Sequence, residues 1–357
     1  MEGAGTRQEK FTLDGATALQ LARAERRLGQ VEMLARLWEP WADFARGALV
    51  ACSAVSEVRL RGKRLDIAEL LALGPEPKPS RPVRPLRWGV GVTLAHRRLE
   101  ALPAQDPLAP SLVSEIFHGI EAPQFSRGSA AFRQPDPDPV PGAAAWTLAP
   151  RWLAAGLPPL WAAGLALAAW EKEGPGPAPR RNLAGRVLVC GLASRLGMPA
   201  HAFDLLGAGL FRAAAQEQRG LEGLLSRVRR AGAWRRFTVV FLRAVELSAA
   251  QVVKLSLAAR DLYQGHLELI DTWVRAPRHP KRFLRLLLER PVVELPLVAT
   301  RLEVTQRTAG LLSRKLVEQG LLTEITGQRR GRRFAYAPLL QLLQPGWGQG
   351  RQSGAES

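Results

Sequence analysis

The chain has 357 residues, of which 46% are hydrophobic and 23% are charged, and its formal net charge is +18. This length is enough for two or three folded units with a large core. Two cysteines exclude a disulfide framework and a four-cysteine zinc site. A polyanion is the simplest partner for so much positive charge, although an arginine-rich composition is also typical of a GC-rich genome.

We expect no targeting or membrane segment. The N-terminal sequence MEGAGTRQEK has no apolar signal core, and the longest apolar run, 157–170, is too short for a bilayer and contains Pro158 and Pro159. A cytoplasmic protein without a membrane partner is therefore expected. The five histidines show no metal-ligand spacing with one another or with Cys52 and Cys190, so we expect no metal site and no cofactor.

Helical periodicity dominates residues 16–273 and is broken by stretches rich in proline and glycine. The sequence predicts a mainly α protein, in which a helical bundle is followed by a small winged helix-turn-helix domain. The expected divisions are a disordered lead at 1–15, an all-helical domain at 16–274, a linker at 275–280, the winged helix-turn-helix at 281–343 and a disordered tail at 344–357.

The small domain is predicted because helix caps, turns and apolar periodicity agree with one another. Thr305 is a natural N-cap for a helix that Gly320 closes, and Glu303 and Val304 form the preceding turn. The expected helices are 281–289, one that begins near Pro296 and runs to Leu302, and 306–319. The expected strands are a short one at 292–293, then 321–325 and 333–336, the last two joined by a basic hairpin tip.

The third of these helices is predicted to bury Ala309, Leu312, Leu316 and Val317. Its other face is polar and basic, with residue types that reach phosphates and base edges in a major groove. The predicted DNA-contacting residues are Thr305, Gln306, Arg307, Arg314 and Lys315 on the helix, and Arg329, Arg330 and Arg332 on the hairpin tip. A small helical bundle with a solvated basic face is the alternative interpretation.

The order of these pieces resembles the bacterial form of the Fic/Doc family, which combines an all-helical core with a C-terminal winged helix. A degenerate, uncharacterised bacterial branch with the same two parts is the closer match, and the resemblance covers roughly residues 16–337. It is carried by Phe132-Arg133, LPPL followed by WAAGLALAAWE at 157–171, GRVLV at 185–189 and SRVRRAGAWRRFTVVFLRAV at 226–245.

Family members use a loop of the form His-Pro-Phe-x-x-Gly-Asn-Gly-Arg, in which the histidine is the general base and the glycine turn holds ATP phosphates. The corresponding stretch here, 171–183, reads EKEGPGPAPRRNL. Pro175 stands at the position of the base, and Arg180, Arg181 and Asn182 replace the glycine turn. The resemblance therefore implies a Fic-like helical domain with no catalytic residues, in which Arg180 and Arg181 are candidates for binding an anion.

The family's inhibitory element, Ser-x-x-x-Glu-Gly, corresponds to residues 57–62, and Arg61 occupies the position of the glutamate. Loss of the catalytic loop together with its inhibitory residue is expected where no activity needs restraint. The segment from His201 imitates the catalytic motif, but it lacks the asparagine and its first glycine comes one position late. We therefore expect His201 to be an ordinary histidine at a helix start.

These observations predict a transcriptional regulator that binds double-stranded DNA, with the helical domain sensing a ligand or forming a homodimer. A divergent Fic-type AMP transferase remains an alternative, and transfer of radiolabel from ATP would identify it. A pseudoenzyme scaffold whose winged helix binds a protein partner is a second alternative. Salt separates that case from DNA binding, because counterion release makes DNA affinity fall steeply as salt increases.

Overall fold

The computed structural model describes residues 14–73, 84–103, 106, 108–120, 124–126, 129–131, 139–273, 278–327 and 331–344. Within them the protein is mainly helical, and a helical bundle is followed by a small part that contains a three-stranded antiparallel sheet. The mainly α architecture expected from the sequence is confirmed. No helix among these residues combines the length and the apolar character needed to cross a membrane.

Residues 14–273 are called the helical part below, and residues 278–344 the C-terminal part. The helical part contains α1 (Gly15–Leu37), α2 (Trp41–Phe44), α3 (Val50–Leu60), α4 (Ile67–Ala72), α5 (Arg84–Glu100), α6 (Pro110–Gly119), β1 (Gln124–Ser126), β2 (Ser129–Ala131), α7 (Ala149–Ala154), α8 (Pro159–Glu173), α9 (Ala178–Arg195), α10 (Leu206–Ala213), α11 (Gly220–Ala231) and α12 (Trp234–Asp271). The C-terminal part contains α13 (Arg278–Glu289), β3 (Val292–Glu294), α14 (Leu295–Leu302), α15 (Gln306–Glu318), β4 (Thr323–Glu324), β5 (Arg333–Ala335) and α16 (Ala337–Leu343).

The first helix begins slightly earlier than predicted. The Asp14 carboxylate accepts a hydrogen bond from the Thr17 amide (2.8 Å) and so caps α1, which starts at Gly15. Asp14 and Gly15 therefore do not belong to a disordered lead, and residues 1–13 lie outside the described residues. Of the predicted tail, only Gln344 is described.

The longest apolar run of the sequence forms α8, at the centre of the bundle. A helix that is apolar on all sides must lie inside a core, and every residue from Leu160 to Ala168 is buried. Helix α8 packs against α9 and α12. Gly164 permits the close approach of α12, because a Cβ atom there would lie 2.9 Å from a ring carbon of Phe241.

The sheet of the C-terminal part has the order β3-β5-β4, and both pairings are antiparallel. The predicted succession of helix, strand, helix, turn, helix, strand and strand is confirmed. Strand β4 is shorter than the predicted 321–325. Leu321 and Leu322 are buried and donate their backbone amides to the Leu316 carbonyl oxygen (2.9 and 3.2 Å), so they end α15 and do not pair with β5.

The C-terminal part packs directly on the helical part. Arg285 of α13 forms ion pairs with Asp43 (2.7 Å) and Glu39 (2.5 Å). After β5, the Tyr336 hydroxyl lies 2.6 Å from Nδ1 of His266 on α12. The two parts are thus joined by side-chain contacts as well as by the chain.

The bounds of α13 correct the predicted linker at 275–280. Residues 278–280 belong to the first turn of α13, where Pro280 is tolerated because a backbone amide at that point would have no helical partner. Residues 275–277 lie outside the described residues.

Gly47 marks the closest backbone approach between the two parts. It lies in a π-helical turn, Ala45–Leu49, that joins α2 to α3, and a Cβ atom there would lie 1.8 Å from the carbonyl oxygen of Glu289. Because that atom is backbone, α13 would have to move to accommodate any side chain.

We therefore expect Gly47→Ala to lower the free energy of unfolding by about 1–3 kcal/mol through overpacking. Gly29 is the matched control, since it is an exposed residue of α1 with nothing within 4 Å of an added Cβ atom. Gly29→Ala should raise the stability by about 0.5–1 kcal/mol because alanine favours a helix. Urea unfolding of the two variants measures both effects, and equal stability would contradict the close contact.

Candidate functional site

Helices α14 and α15 are joined by a tight turn. Glu303 adopts a left-handed conformation with φ of 58°, and the Val304 amide donates to the Ala299 carbonyl oxygen (3.0 Å). Thr305 then caps α15 by accepting a hydrogen bond from the Thr308 amide (3.1 Å). The predicted turn and N-cap are confirmed. They fix the direction in which α15 leaves the turn.

The buried face of α15 differs in part from the prediction. Ala309, Ser313 and Leu316 are fully buried and form a stripe at helical spacing, and the Ser313 hydroxyl donates to the Ala309 carbonyl oxygen (2.9 Å). Leu312 is partly buried, as a flank of that stripe. The prediction that Val317 is buried is wrong: it is 37% exposed, because it lies one position beyond the stripe.

The exposed face of α15 carries most of the predicted contact residues. Gln306, Arg307 and Arg314 are exposed, and Leu311 between the arginines is 57% exposed. Among the described residues, neither Arg307 nor Arg314 has a hydrogen-bond or ion-pair partner. Their charges therefore remain available to a partner from outside the chain.

Lys315 is positioned differently from the two arginines. Its ammonium nitrogen lies 3.9 Å from the ring centroid of Trp273, which follows α12, and the residue is only partly exposed. This cation–π contact directs Lys315 toward the helical part and links α15 to the end of α12.

The hairpin between β4 and β5 is described at its two ends. Gly327 and Gly331 have φ values of 60° and 68°, the left-handed conformation that glycine adopts without steric cost. Arg332 is exposed, with its Nη1 atom 3.9 Å from Oε2 of Glu324. Arg329 and Arg330, the other two predicted contact residues, lie outside the described residues.

The stretch predicted to correspond to the Fic loop joins α8 to α9 and surrounds a buried carboxyl group. Glu171 is 2% exposed, and its Oε2 atom lies 3.6 Å from Nε of Arg181 and 3.7 Å from Nη1 of Arg229. Burial raises the pKa of Glu171 to about 7, outweighing the attraction of the nearby arginines. The side-chain amide of Asn182 is oriented with its nitrogen toward Glu171. That nitrogen donates to both carboxylate oxygens of Glu171 (2.6 and 3.0 Å).

The two arginines considered for anion binding are engaged with this loop. Arg180 donates from Nε to the Phe117 carbonyl oxygen (3.1 Å), and its guanidinium lies 4.0 Å from the Phe117 ring centroid. Arg181 donates from Nη1 to the carbonyl oxygens of Gly174 (2.9 Å) and Gly176 (3.2 Å). In this arrangement both guanidinium groups point at protein acceptors and hold the turn in shape.

Arg61, which was predicted to occupy the position of an inhibitory glutamate, also reaches this loop. Its Nη2 atom donates to the Pro179 carbonyl oxygen (2.7 Å), and its guanidinium lies 4.5 Å from the Trp88 ring centroid. Pro175, which was predicted to stand at the position of a general base, has no side-chain atom that can accept a proton.

His201 lies in a short 3₁₀ turn, Ala200–Phe203, and is partly buried. Its Nδ1 atom is 2.9 Å from Oδ2 of Asp204, and its ring meets the Trp41 ring edge-on with centroids 5.3 Å apart. Burial lowers the pKa of His201, but attraction to Asp204 and Glu100 outweighs it, so that the pKa lies above its usual value.

Asp204, the partner of His201, also belongs to a buried group of side chains that could not be predicted from spacing in the sequence. His96 and Cys190 lie near the same carboxylate, and the Ser53 hydroxyl lies 3.3 Å from Nε2 of His96, although these three residues come from three different helices. The one local signal is on α9, where Asn182, Arg186 and Cys190 recur every fourth residue and so share a helical face.

Comparisons with known proteins give a limited result. No family model matches the chain, and no curated protein matches it. A solved structure of a Fic family protein from Desulfovibrio desulfuricans G20 is similar over 91% of this chain and 97% of that chain, with 10% sequence identity and a TM-score of 0.40. With so few identical residues and so low a TM-score, this similarity assigns no activity and no site residue to the present chain.

The titration of Glu171 gives a pH-dependent prediction. Its pKa is about 7 in the folded protein against a usual 4.5, so the folded protein keeps a proton that the unfolded chain loses, and stability falls as the pH rises from 4.5 to 7. Glu171→Gln should abolish this pH-dependent loss of stability, because glutamine is uncharged like the protonated glutamate.

We expect the stability of Glu171→Gln relative to wild type to increase by about 1–3 kcal/mol across that pH window. Urea unfolding from about pH 5 to about pH 8 measures the difference. Glu173→Gln is the control, since Glu173 is an exposed residue of the same helix. The same trend in both variants would show that the buried carboxyl group is not its source.

Proposed function

We propose that the C-terminal part is a winged helix-turn-helix that binds double-stranded DNA, and that the protein is a cytoplasmic transcriptional regulator. The helical part serves as a non-catalytic, Fic-like unit that senses a ligand or mediates homodimerisation. The observation that carries the proposal is the exposed face of α15, on which Arg307 and Arg314 have no partner among the described residues.

The spacing on α15 suits insertion into a major groove. Arg307 and Arg314 are seven residues apart, which is two helical turns and about 10 Å, comparable to a major-groove width of about 12 Å. Arg307 lies in the first turn, where the recognition helices of helix-turn-helix proteins contact base edges. Leu311, exposed between the arginines, is an apolar side chain suited to the methyl group of thymine.

The order of elements supports the same function. A helix, a tight turn and a second helix are followed by a hairpin that pairs with β3, and this is the arrangement of a winged helix-turn-helix. Residues 281–337 hold twelve Lys/Arg and five Asp/Glu, a net charge of +7, and three of these twelve, Arg329, Arg330 and Arg332, lie close together in the hairpin sequence. Positive charge concentrated in this way favours a phosphate backbone over an uncharged protein surface.

The absence of catalysis is proposed from the α8–α9 loop. Pro175 cannot take up a proton, Arg180 and Arg181 use donors to shape the turn, and Glu171 is buried behind them. The position predicted for the general base thus offers no group for the proton-transfer step that a transferase requires. This supports a binding protein over a divergent AMP transferase.

Arg307→Ala tests the recognition helix. The duplex used is one selected by the full-length protein from a random pool, and affinity is measured by fluorescence anisotropy on that duplex and on random DNA. Because Arg307 is expected to read a base, the variant should lose about 1–3 kcal/mol of binding free energy on the selected duplex only.

Arg151→Ala is the control. It removes an equal charge from an exposed position on α7 and should bind as wild type does. Failure of the wild-type protein to bind any duplex would refute the proposed function, and an equal loss on both DNAs would make Arg307 a phosphate contact.

Arg329→Ala combined with Arg330→Ala tests the hairpin. Both side chains are expected to contact phosphates, so affinity should fall alike on selected and random DNA. The slope of log affinity against log salt should decrease by about one to two units, given about 0.9 per phosphate contact. Arg64→Ala with Arg151→Ala is the charge-matched control, because both residues are exposed in the helical part. A slope that stays at the wild-type value would show that the hairpin does not contact DNA.

A further inference from the structure

We propose that His96, Cys190 and Asp204 form a buried zinc-binding site inside the helical part. His96 lies on α5, Cys190 on α9, and Asp204 directly after the 3₁₀ turn that precedes α10. The side chains offer one imidazole nitrogen, one sulfur and one carboxylate oxygen, and these three atoms all lie within 4.8 Å of one another. Each residue is 4–5% exposed.

The separation of these atoms is close to that of ligands around one ion. Nδ1 of His96 lies 3.7 Å from Oδ1 of Asp204, longer than a hydrogen bond. With bonds of about 2.0–2.3 Å, two ligands of a tetrahedral zinc ion lie about 3.3–3.6 Å apart. Small side-chain movements would therefore bring all three atoms to bonding distance.

The outward-facing atoms of two of these residues are already held in place. Nε2 of His96 lies 3.3 Å from the Ser53 hydroxyl, and Oδ2 of Asp204 lies 2.9 Å from Nδ1 of His201. This leaves Nδ1 of His96 and Oδ1 of Asp204 facing each other. Metal ligands in proteins are held by hydrogen bonds of this kind, which fix the ring tautomer and the direction of the lone pair.

The Cys190 thiol makes one weak hydrogen bond that zinc binding would replace. Its sulfur lies 3.6 Å from the Arg186 carbonyl oxygen in the preceding turn of α9, a bond that thiols make poorly. When zinc binds, the Zn–S bond replaces the S–H bond, and the thiol proton is released to solvent.

The donor set favours zinc over the other abundant cations. Calcium and magnesium are bound by oxygen ligands alone, whereas zinc accepts cysteine sulfur, histidine nitrogen and carboxylate oxygen together. A site with three protein ligands takes water or a further oxygen in the fourth position.

A catalytic interpretation of the same residues is less suitable. Ser53, His96 and Asp204 follow one another as in a hydrolase triad, but Ser53 is 3% exposed, so a substrate has no access to its hydroxyl. An ion bound by these three buried residues would connect α5, α9 and the turn before α10.

The test uses full-length protein with Cys52→Ser, in which Cys190 is the remaining thiol of a chain that has two cysteines. After chelation, Co²⁺ is titrated as a spectroscopic substitute for zinc, and zinc content is measured by elemental analysis after reloading. We expect about one zinc ion per chain, a thiolate-to-cobalt charge-transfer absorption in the near ultraviolet, and a higher Tm with zinc.

Two further variants locate the ligands. Cys190→Ser should abolish the charge-transfer absorption, and Asp204→Asn, which keeps a hydrogen-bonding group beside His201, should weaken zinc binding by at least about tenfold. Circular dichroism establishes that each variant is folded. Absence of the absorption and of bound zinc in folded Cys52→Ser protein would overturn the proposal, and so would an absorption that persists in Cys190→Ser. The Cys52→Ser result decides the question even when the other variants do not fold.

Discussion

Helix α12 packs along its first half against α8 and α10, where Phe241 fills the space left by Gly164 and the Ala244 carbonyl oxygen lies against Gly209. Its 38 residues extend for about 57 Å, which is longer than the helices that flank it. The second half therefore continues to the C-terminal part and contacts α13 and α16. One rigid element thus determines where both parts of the protein lie.

This constraint has a consequence for the proposed DNA-binding face. Helix α15 is attached to the end of α12 through Lys315 and Trp273, while α13 is attached to α2 through Arg285 and Asp43. A change of packing in the bundle would reach α15 through these contacts. These contacts would connect the proposed ligand sensing of the helical part to the proposed DNA-binding face.

A second organising feature is the set of buried polar residues along α9. Asn182 contacts Glu171, Arg186 forms a buried two-point ion pair with Glu57, and Cys190 faces His96 and Asp204. Such groups are costly to bury without partners, so each one specifies which helix must lie opposite. The Glu57–Arg186 pair also requires Gly207, because a Cβ atom there would lie 2.2 Å from Oε1 of Glu57.

The elements of the C-terminal part, including the Thr305 cap and the turn before α15, could be predicted from the sequence, because caps, turns and apolar periodicity are local properties. The sequence also indicated the mainly helical character of the chain. Tertiary structure alone decided that Arg278 begins α13, that Val317 is exposed, and that Lys315 turns toward Trp273. The group of His96, Cys190 and Asp204 could likewise not be predicted from the sequence. His96 lies far from the other two along the chain and meets them only when α5 and α9 pack together. Local patterns determine which residues form a helix, whereas contacts between distant segments determine which of its side chains face a neighbour.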